Sequence, residues 1–269
     1  MNAFHTLLRD RAARTPIGTW VMSASPLVAE AIGSAGFDWA VLDMEHTPLD
    51  MMGLVHLLQA VGNTPMAPVV RVPWNDAVIV KRVLDAGART LLFPFVQSGE
   101  EATRAVAATR YPPEGVRGMA GMSRASRFGT TPDFFRDANA TIGVIVQIET
   151  PQSIARLEEI GATQGIDALF VGPGDLSGSM GHVGNATHPD VMAAMADAAR
   201  RAHAMGKPIG TVGGTTQIVA RYREIGYDFV AIASDLGLLM RAAQDAVGTL
   251  RAGKPAASAQ PAGASEGSY

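Results

Sequence analysis

A (β/α)8 TIM barrel, an α/β fold built as a single domain, is the architecture this sequence predicts, and three observations carry it. Eight short apolar runs alternate with segments of helical spacing. A glycine-closed helix end recurs ahead of four of those runs, at Ala35-Gly36-Phe37-Asp38, Ala86-Gly87-Ala88, Ile160-Gly161-Ala162 and Ile225-Gly226-Tyr227-Asp228. Glycine tolerates the left-handed conformation that such a cap uses. No Gly-x-Gly-x-x-Gly follows the first run, which disfavours the runner-up, an open doubly wound sheet.

The predicted strands, in order, are Ile17–Met22, Trp39–Asp43, Ala67–Arg71, Thr90–Pro94, Gly143–Glu149, Ala168–Gly172, Pro208–Val212 and Phe229–Ala233. Between them, Pro26–Ser34, Leu49–Val61, Asn75–Asp85 and Pro189–Met205 carry apolar residues at helical spacing. In the fifth strand Gln147 and Glu149 stand two apart, so both face one side while Val144, Val146 and Ile148 face the other, under a helix. Thr150-Pro151 supplies an N-cap and a first helical residue, which leaves Glu149 at the C-terminal end of its strand. Tyr111 to Thr141 is an excursion rich in Gly, Pro and Arg, too long for a plain connection. The barrel is expected over residues 1–251. From 252 to 269 Ala, Ser, Gly and Pro dominate, and this tail is expected to be flexible because it can bury little apolar area.

Composition excludes several classes of function. At 269 residues, 47% hydrophobic and 17% charged, the chain suits a globular enzyme. A net charge of −3 and the absence of any Lys/Arg run give no footprint for nucleic acid. There is no cysteine, so disulfides, thiolate zinc sites and cysteine nucleophiles are ruled out. No signal pattern opens the chain and no apolar run reaches membrane-spanning length, so a cytoplasmic protein with no membrane partner is expected.

Chemistry in such barrels gathers at the C-terminal ends of the strands. There the sequence places Asp43, Glu45 and His46, then Arg71, then Gln147 and Glu149, then Asp175 after Gly172-Pro173-Gly174. Each has a plain alternative: Asp175 as a helix N-cap, His46 as a loop histidine, Arg71 as a structural partner of Asp43 or Glu45. Glu149 resists one, because Thr150 already caps the next helix and a buried carboxylate needs a cation or a hydrogen bond. The expectation is that Glu149 and Asp175 hold one divalent metal of the magnesium or manganese type, leaving positions for the carboxylate and keto oxygens of a 2-oxo acid. Backbone N–H groups of Gly174 and Asp175 would receive that carboxylate, Arg71 would stabilise a developing enolate oxygen, and His46 would act as acid and base. A Schiff-base alternative needs a lysine in the mouth. The three lysines, Lys81, Lys207 and Lys254, fall on a helix, at the opposite face and in the tail.

Taken together, these residues resemble the HpcH/HpaI family of metal-dependent (class II) pyruvate aldolases. The matching stretches are Gly36-Phe37-Asp38-Trp39, Asp43-Met44-Glu45-His46, Val70-Arg71-Val72-Pro73, Tyr111-Pro112-Pro113-Glu114-Gly115-Val116-Arg117-Gly118, Gln147-Ile148-Glu149-Thr150 and Gly172-Pro173-Gly174-Asp175-Leu176-Ser177. The resemblance implies reversible cleavage of a 4-hydroxy-2-oxo acid to pyruvate and an aldehyde. The substrate would be 4-hydroxy-2-oxoheptanedioate, from aromatic compound catabolism, or a 2-keto-3-deoxy sugar acid. It implies Mg, Mn or Co on Glu149 and Asp175, His46 as base and Arg71 as transition-state stabiliser, with Gln147 and the Gly174 backbone on the keto acid. It further implies that Asp85 raises the basicity of the histidine, although Asp85 reads as the far end of a helix and Asp43 is the local rival. Family members resemble hexamers, trimers of dimers that exchange the final helix, here Asp235–Leu250. Arg117, Arg124 and Arg127 would bind an acidic aldehyde or form a surface. Competing functions are a lyase acting on a CoA thioester or decarboxylating oxaloacetate at the same site, and a non-catalytic scaffold.

Overall fold

The computed structural model describes residues 2–252. Apart from Ala252, the predicted tail, with its Lys254, lies outside the described residues. Two compact units divide the chain, one ending at Asp235 and the other beginning at Leu236. The first is a closed barrel of eight parallel strands in sequence order. These are β1 (Ile17–Val21), β2 (Trp39–Asp43), β3 (Ala67–Arg71), β4 (Thr90–Phe93), β5 (Gly143–Ile148), β6 (Ala168–Val171), β7 (Ile209–Gly213) and β8 (Phe229–Ser234). All lie where the apolar runs place them, with ends shifted by a residue at most. β1 pairs with β8 to close the barrel, and Asp235 holds that seam by accepting the N–H groups of Met22 (2.8 Å) and Ser23 (3.1 Å).

The helices are α1 (Ala3–Asp10), α2 (Pro26–Gly33), α3 (Met51–Val61), α4 (Ala77–Asp85), α5 (Gly99–Thr109), α6 (Phe134–Ala138), α7 (Pro151–Ala155), α8 (Leu157–Gly161), α9 (Pro173–Ser179), α10 (Pro189–Ala204), α11 (Thr216–Glu224) and α12 (Asp235–Arg251). Ser25, Asp50, Asp76, Ser98, Thr150 and Thr215 each cap a helix that follows a strand, with a side-chain oxygen accepting a first-turn N–H. Left-handed glycines close three of the four predicted junctions, at Gly36, Gly87 and Gly226. The fourth differs. Gly161 lies inside α8, where a Cβ would come 2.7 Å from Met205 Cε, and the left-handed turn falls at Gly165 instead. Glycine at 161 thus answers a close approach, not a turn.

Alternation along each strand divides the core. Val144, Val146 and Ile148 pack outward with the helices, while Ile145 joins an interior cluster with Trp20, Trp39, Phe170 and Phe229. These rings meet mostly edge to face, with Trp39 5.6 Å from Phe229 and 6.3 Å from Trp20. Gly18 makes room for them, since a Cβ there would lie 2.3 Å from the Trp39 ring. α1, which the alternating apolar runs do not predict, brings Phe4 against Trp39 and Phe229 from the N-terminal end. Its cap, Asn2, is buried and ties that end to Arg89 O (2.8 Å) and Thr141 O (3.1 Å).

The long excursion also turns toward the N-terminal end of the barrel. Ala125 N–H donates to Asp85 O at 3.2 Å, and Arg117 Nη2 lies 2.7 Å from Asp85 Oδ1. In the second unit, the described chain is helical to Arg251, and Leu236, Leu239, Met240, Val247 and Leu250 are exposed. Among the described residues no helix is long and apolar enough to cross a membrane.

Candidate active site

Sheet register builds the first half of the mouth. Asp43 and Arg71 are paired positions on β2 and β3. Arg71 donates from Nε to Asp43 Oδ1 at 2.8 Å and from Nη2 to Oδ2 at 2.7 Å, while Nη1 lies 2.9 Å from Glu45 Oε2. Asp43 is fully buried and also accepts the backbone N–H groups of Glu45 (3.0 Å) and His46 (3.4 Å). This aspartate therefore shapes the turn that carries His46 and fixes the plane of the guanidinium. Trp20 lies beneath, its ring 5.6 Å from the guanidinium carbon. Burial works against the charge on Arg71, but the Asp43 hydrogen bond and charge, with those of Glu45 and Glu149, outweigh it and hold its pKa above the ordinary value.

Glu149 builds the second half. A Thr150–Ser153 capping box starts α7, and Ser153 Oγ also accepts the Glu149 N–H at 3.1 Å, which fixes the end of β5. The Glu149 side chain is 2% exposed; its Oε1 accepts from Gln147 Nε2 and its Oε2 from the Phe95 N–H at 3.1 Å. Phe95 makes that donation from a left-handed backbone, at φ 55°. Burial, then the charges of Asp175 and Glu45, push the Glu149 carboxyl up to about 8 despite Phe95 and Arg71. Glu45 is likewise raised, by burial first, with Arg71 and His46 opposing and Asp43 and Asp175 adding. Asp175 is an exposed residue in the first turn of α9, whose N-cap is Gly172, so it is not the cap of that helix. Gly172 is required for space: a Cβ there would lie 2.3 Å from Glu149 Oε1.

The sequence-predicted residues divide clearly. His46, Arg71, Gln147 and Glu149 share the mouth with Asp43 and Glu45, and the Asp175 charge acts on both glutamates. The carboxylate nearest the His46 ring is Glu45, with Oε2 3.8 Å from Nε2. Asp43 instead bonds backbone and arginine, so it does not orient that ring. Asp85 closes α4 at the far end of the barrel and pairs with Arg117, which leaves it no contact with His46 in the same chain. Arg117, Arg124 and Arg127 gather at that far end too, away from their own mouth. Lys81 sits in α4 and Lys207 donates to Ile166 O at 2.6 Å, so neither serves a Schiff base in the mouth. His182, His188 and Asp190 form a separate cluster, with Asp190 Oδ2 3.3 Å and 3.6 Å from the two rings. The rings stack 3.5 Å apart and nearly parallel, so their in-plane lone pairs do not converge on one ion.

An acidic pocket, a clamped arginine and an exposed histidine at the mouth of a parallel barrel are the groups that a lyase working beside a carbonyl group would use. Comparison with known proteins agrees. The sequence profile of the HpcH/HpaI aldolase/citrate lyase family matches residues 16–242. A 2-dehydro-3,6-dideoxy-6-sulfogluconate aldolase of Pseudomonas putida is 50% identical over 236 residues, covering 88% of this chain and 92% of that one. A 5-keto-4-deoxy-D-glucarate aldolase of Salmonella arizonae is 48% identical over 240 residues, covering 89% and 94%. The crystal structure of an HpcH/HpaI aldolase/citrate lyase family protein from Burkholderia cenocepacia superposes with a TM-score of 0.90 at 42% identity, covering 93% of this chain and 100% of that one. The chain belongs to the HpcH/HpaI aldolase/citrate lyase family, and it is a carbon–carbon lyase.

Proposed function

We propose that this chain reversibly cleaves a 4-hydroxy-2-oxo acid of the 2-keto-3-deoxy sugar acid type to pyruvate and an aldehyde, using a divalent metal held by Glu149 and Asp175. Its two curated relatives named above are both aldolases of deoxy keto sugar acids. The observation that carries the metal is the raised Glu149 carboxyl, buried with the charges of Asp175 and Glu45 acting on it. A divalent cation balances such a group, and Mg, Mn and Co all accept carboxylate oxygen. The fit extends to Gln147, whose buried Oε1 has no hydrogen-bond partner among the described residues.

When bound, the ion supplies Lewis acidity at the keto oxygen of the substrate. The protein groups do the rest. Gly174 and Asp175 offer first-turn N–H groups of α9 to the substrate carboxylate. His46 takes the proton of the 4-hydroxyl; the C3–C4 bond breaks, the aldehyde leaves, and the electrons remain in an enolate that is protonated at C3. Arg71 donates two of its five N–H groups to Asp43 and pairs through Nη1 with Glu45, which leaves it donors for the oxygen that gains charge. Glu45 stands between Arg71 and His46, with Oε2 2.9 Å from Arg71 Nη1 and 3.8 Å from His46 Nε2, and so holds the two groups to one side of the mouth.

The exposed apolar residues of α12 support a homo-oligomer in which this helix packs on a neighbour. In such an assembly Asp85 would act on the histidine of another subunit. A cytoplasmic location remains part of the proposal.

Gly172→Ala tests the pocket without touching a charge. The added methyl would displace the Glu149 carboxylate, and Mn2+ affinity should fall at least tenfold, with the circular dichroism spectrum unchanged. The reaction itself is tested by screening 4-hydroxy-2-oxo acids, with and without a terminal acid group, for pyruvate release, with oxaloacetate decarboxylation measured alongside. Release that stops in excess chelator and returns with Mg, Mn or Co is expected; full activity in excess chelator would refute the metal.

A further inference from the structure

Two aromatic rings stand open to solvent beside the mouth, and the chemistry above uses neither. Trp74 follows β3, whose last residue is Arg71, and Phe95 follows β4 and gives its N–H to Glu149 at 3.1 Å. Trp74 is 56% exposed and Phe95 40%, and their rings stack at 27° with centroids 6.4 Å apart. The backbone at Phe95 is left-handed, at φ 55°, which strains a bulky residue and not glycine. Glycine there would still offer its N–H to Glu149, so the ring is what phenylalanine adds.

Both loops are anchored to one residue of α5. Glu101 accepts Asn75 Nδ2 on its backbone carbonyl at 2.9 Å and the Gln97 N–H on its carboxylate at 2.7 Å. Gln97 Oε1 also accepts from Thr150 Oγ1 at 2.5 Å, which ties the Phe95 loop to the cap that follows Glu149. The rings are therefore held in a fixed relation to each other and to that carboxylate. Their surroundings define what they can take. Residues 72–75 and 93–98 hold no charged side chain, and Asp76 beyond them caps α4 through the Val78 and Ile79 N–H groups. Asn75 Nδ2, Gln97 Oε1 and Ser98 Oγ bond to the protein, and Gln97 Nε2 is closed off from water. A sugar platform pairs a ring with side chains that reach hydroxyl groups, and a terminal acid needs a cation. These loops turn their polar groups elsewhere and carry no cation. A flat apolar body gains offset stacking here and buries ring surface that water now covers.

We propose that Trp74 and Phe95 form a subsite for the aryl body of an aldehyde, so that the enzyme also acts on 4-aryl-4-hydroxy-2-oxo acids. The inference rests on the aldolase reading for its chemistry, and the step is the cleavage above run in reverse. C3 of the pyruvate enolate bonds to the carbonyl carbon, and the carbonyl oxygen takes the proton from His46. With pyruvate, Mn2+ and benzaldehyde the product is 4-hydroxy-2-oxo-4-phenylbutanoate. In Trp74→Ser, KM for benzaldehyde should rise at least tenfold while kcat changes less than threefold. KM for glyceraldehyde and exchange of the pyruvate C3 protons should stay within twofold, and Trp74→Phe should restore most of the benzaldehyde KM. Binding is read apart from chemistry by saturation-transfer NMR with benzyl alcohol, which cannot react. Saturable transfer to its ring protons is expected in the wild type, with affinity at least fivefold weaker in Trp74→Ser. Benzyl alcohol binding that depends on Trp74, in a protein that adds pyruvate to no aldehyde, would sink the aldolase reading and uphold the subsite. Absent benzyl alcohol binding, or an affinity or benzaldehyde KM unchanged in Trp74→Ser, would overturn the subsite. So would failure to add benzaldehyde in a wild type that adds glyceraldehyde. A smaller assembly of Trp74→Ser in sedimentation would also overturn it, by assigning the rings to a contact between chains.

Discussion

Glu149→Gln should lose aldol cleavage by about a thousandfold, as expected when several kcal/mol of charge stabilisation is removed, and yet melt higher than the wild type in chelator at pH 8. Both effects come from one buried carboxyl. Its folded-state pKa, about 8, lies above the ordinary value of 4.5 because burial and the neighbouring Asp175 and Glu45 disfavour its charge. A folded state that holds the proton more tightly is favoured fully below the unfolded value, and this stability is lost as pH rises through about 8. Each pKa unit corresponds to about 1.4 kcal/mol, so the metal-free wild type should lose on the order of a few kcal/mol between pH 5 and pH 9. Glutamine cannot titrate, so its melting temperature should vary much less over that window. Saturating Mn2+ should reverse the order of the two proteins, because only the wild type gains a bound ion. Equal pH slopes for the two in chelator would show that Glu149 is not the source of the effect.

Arg71→Met is the second large effect, and it separates folding from chemistry. Removing the guanidinium leaves Asp43, fully buried, with no positive partner among the described residues. Breaking such a pair on one side costs about 3–5 kcal/mol. Adding Asp43→Asn removes the stranded charge while its oxygen still accepts the Glu45 and His46 N–H groups, so most of that stability should return. Activity should not return, and exchange of the pyruvate C3 protons should stay below about one hundredth of the wild-type rate, because no donor replaces Arg71 at the charged oxygen. Recovery of exchange in the double variant would make Arg71 a purely structural partner of Asp43.

The barrel was legible because burial on two sides leaves short β-branched runs, and Val144 to Ile148 is one of them. Gln147 and Glu149 stood out for the same reason: polar groups two apart on such a strand face one place. What the sequence did not reveal depends on contacts between distant segments. Asn2 acts as a cap and a plug only when Arg89 and Thr141 bring their carbonyls to it. Glu45 looked like one acid among several until Arg71 and His46 met on it. Phe95, an apolar residue, supplies a backbone N–H to Glu149, and no side-chain pattern records that. Asp85 and the excursion arginines could be placed on their elements but not at an end of the barrel, which only folding decides.

Titration of the metal-free chain with Mn2+, followed by calorimetry, tests the central claim most directly. One site per chain is expected in the wild type and in Asp190→Asn, with affinity at least a hundredfold lower in Glu149→Gln and in Asp175→Asn. Undiminished binding in both of those carboxylate variants would contradict the account.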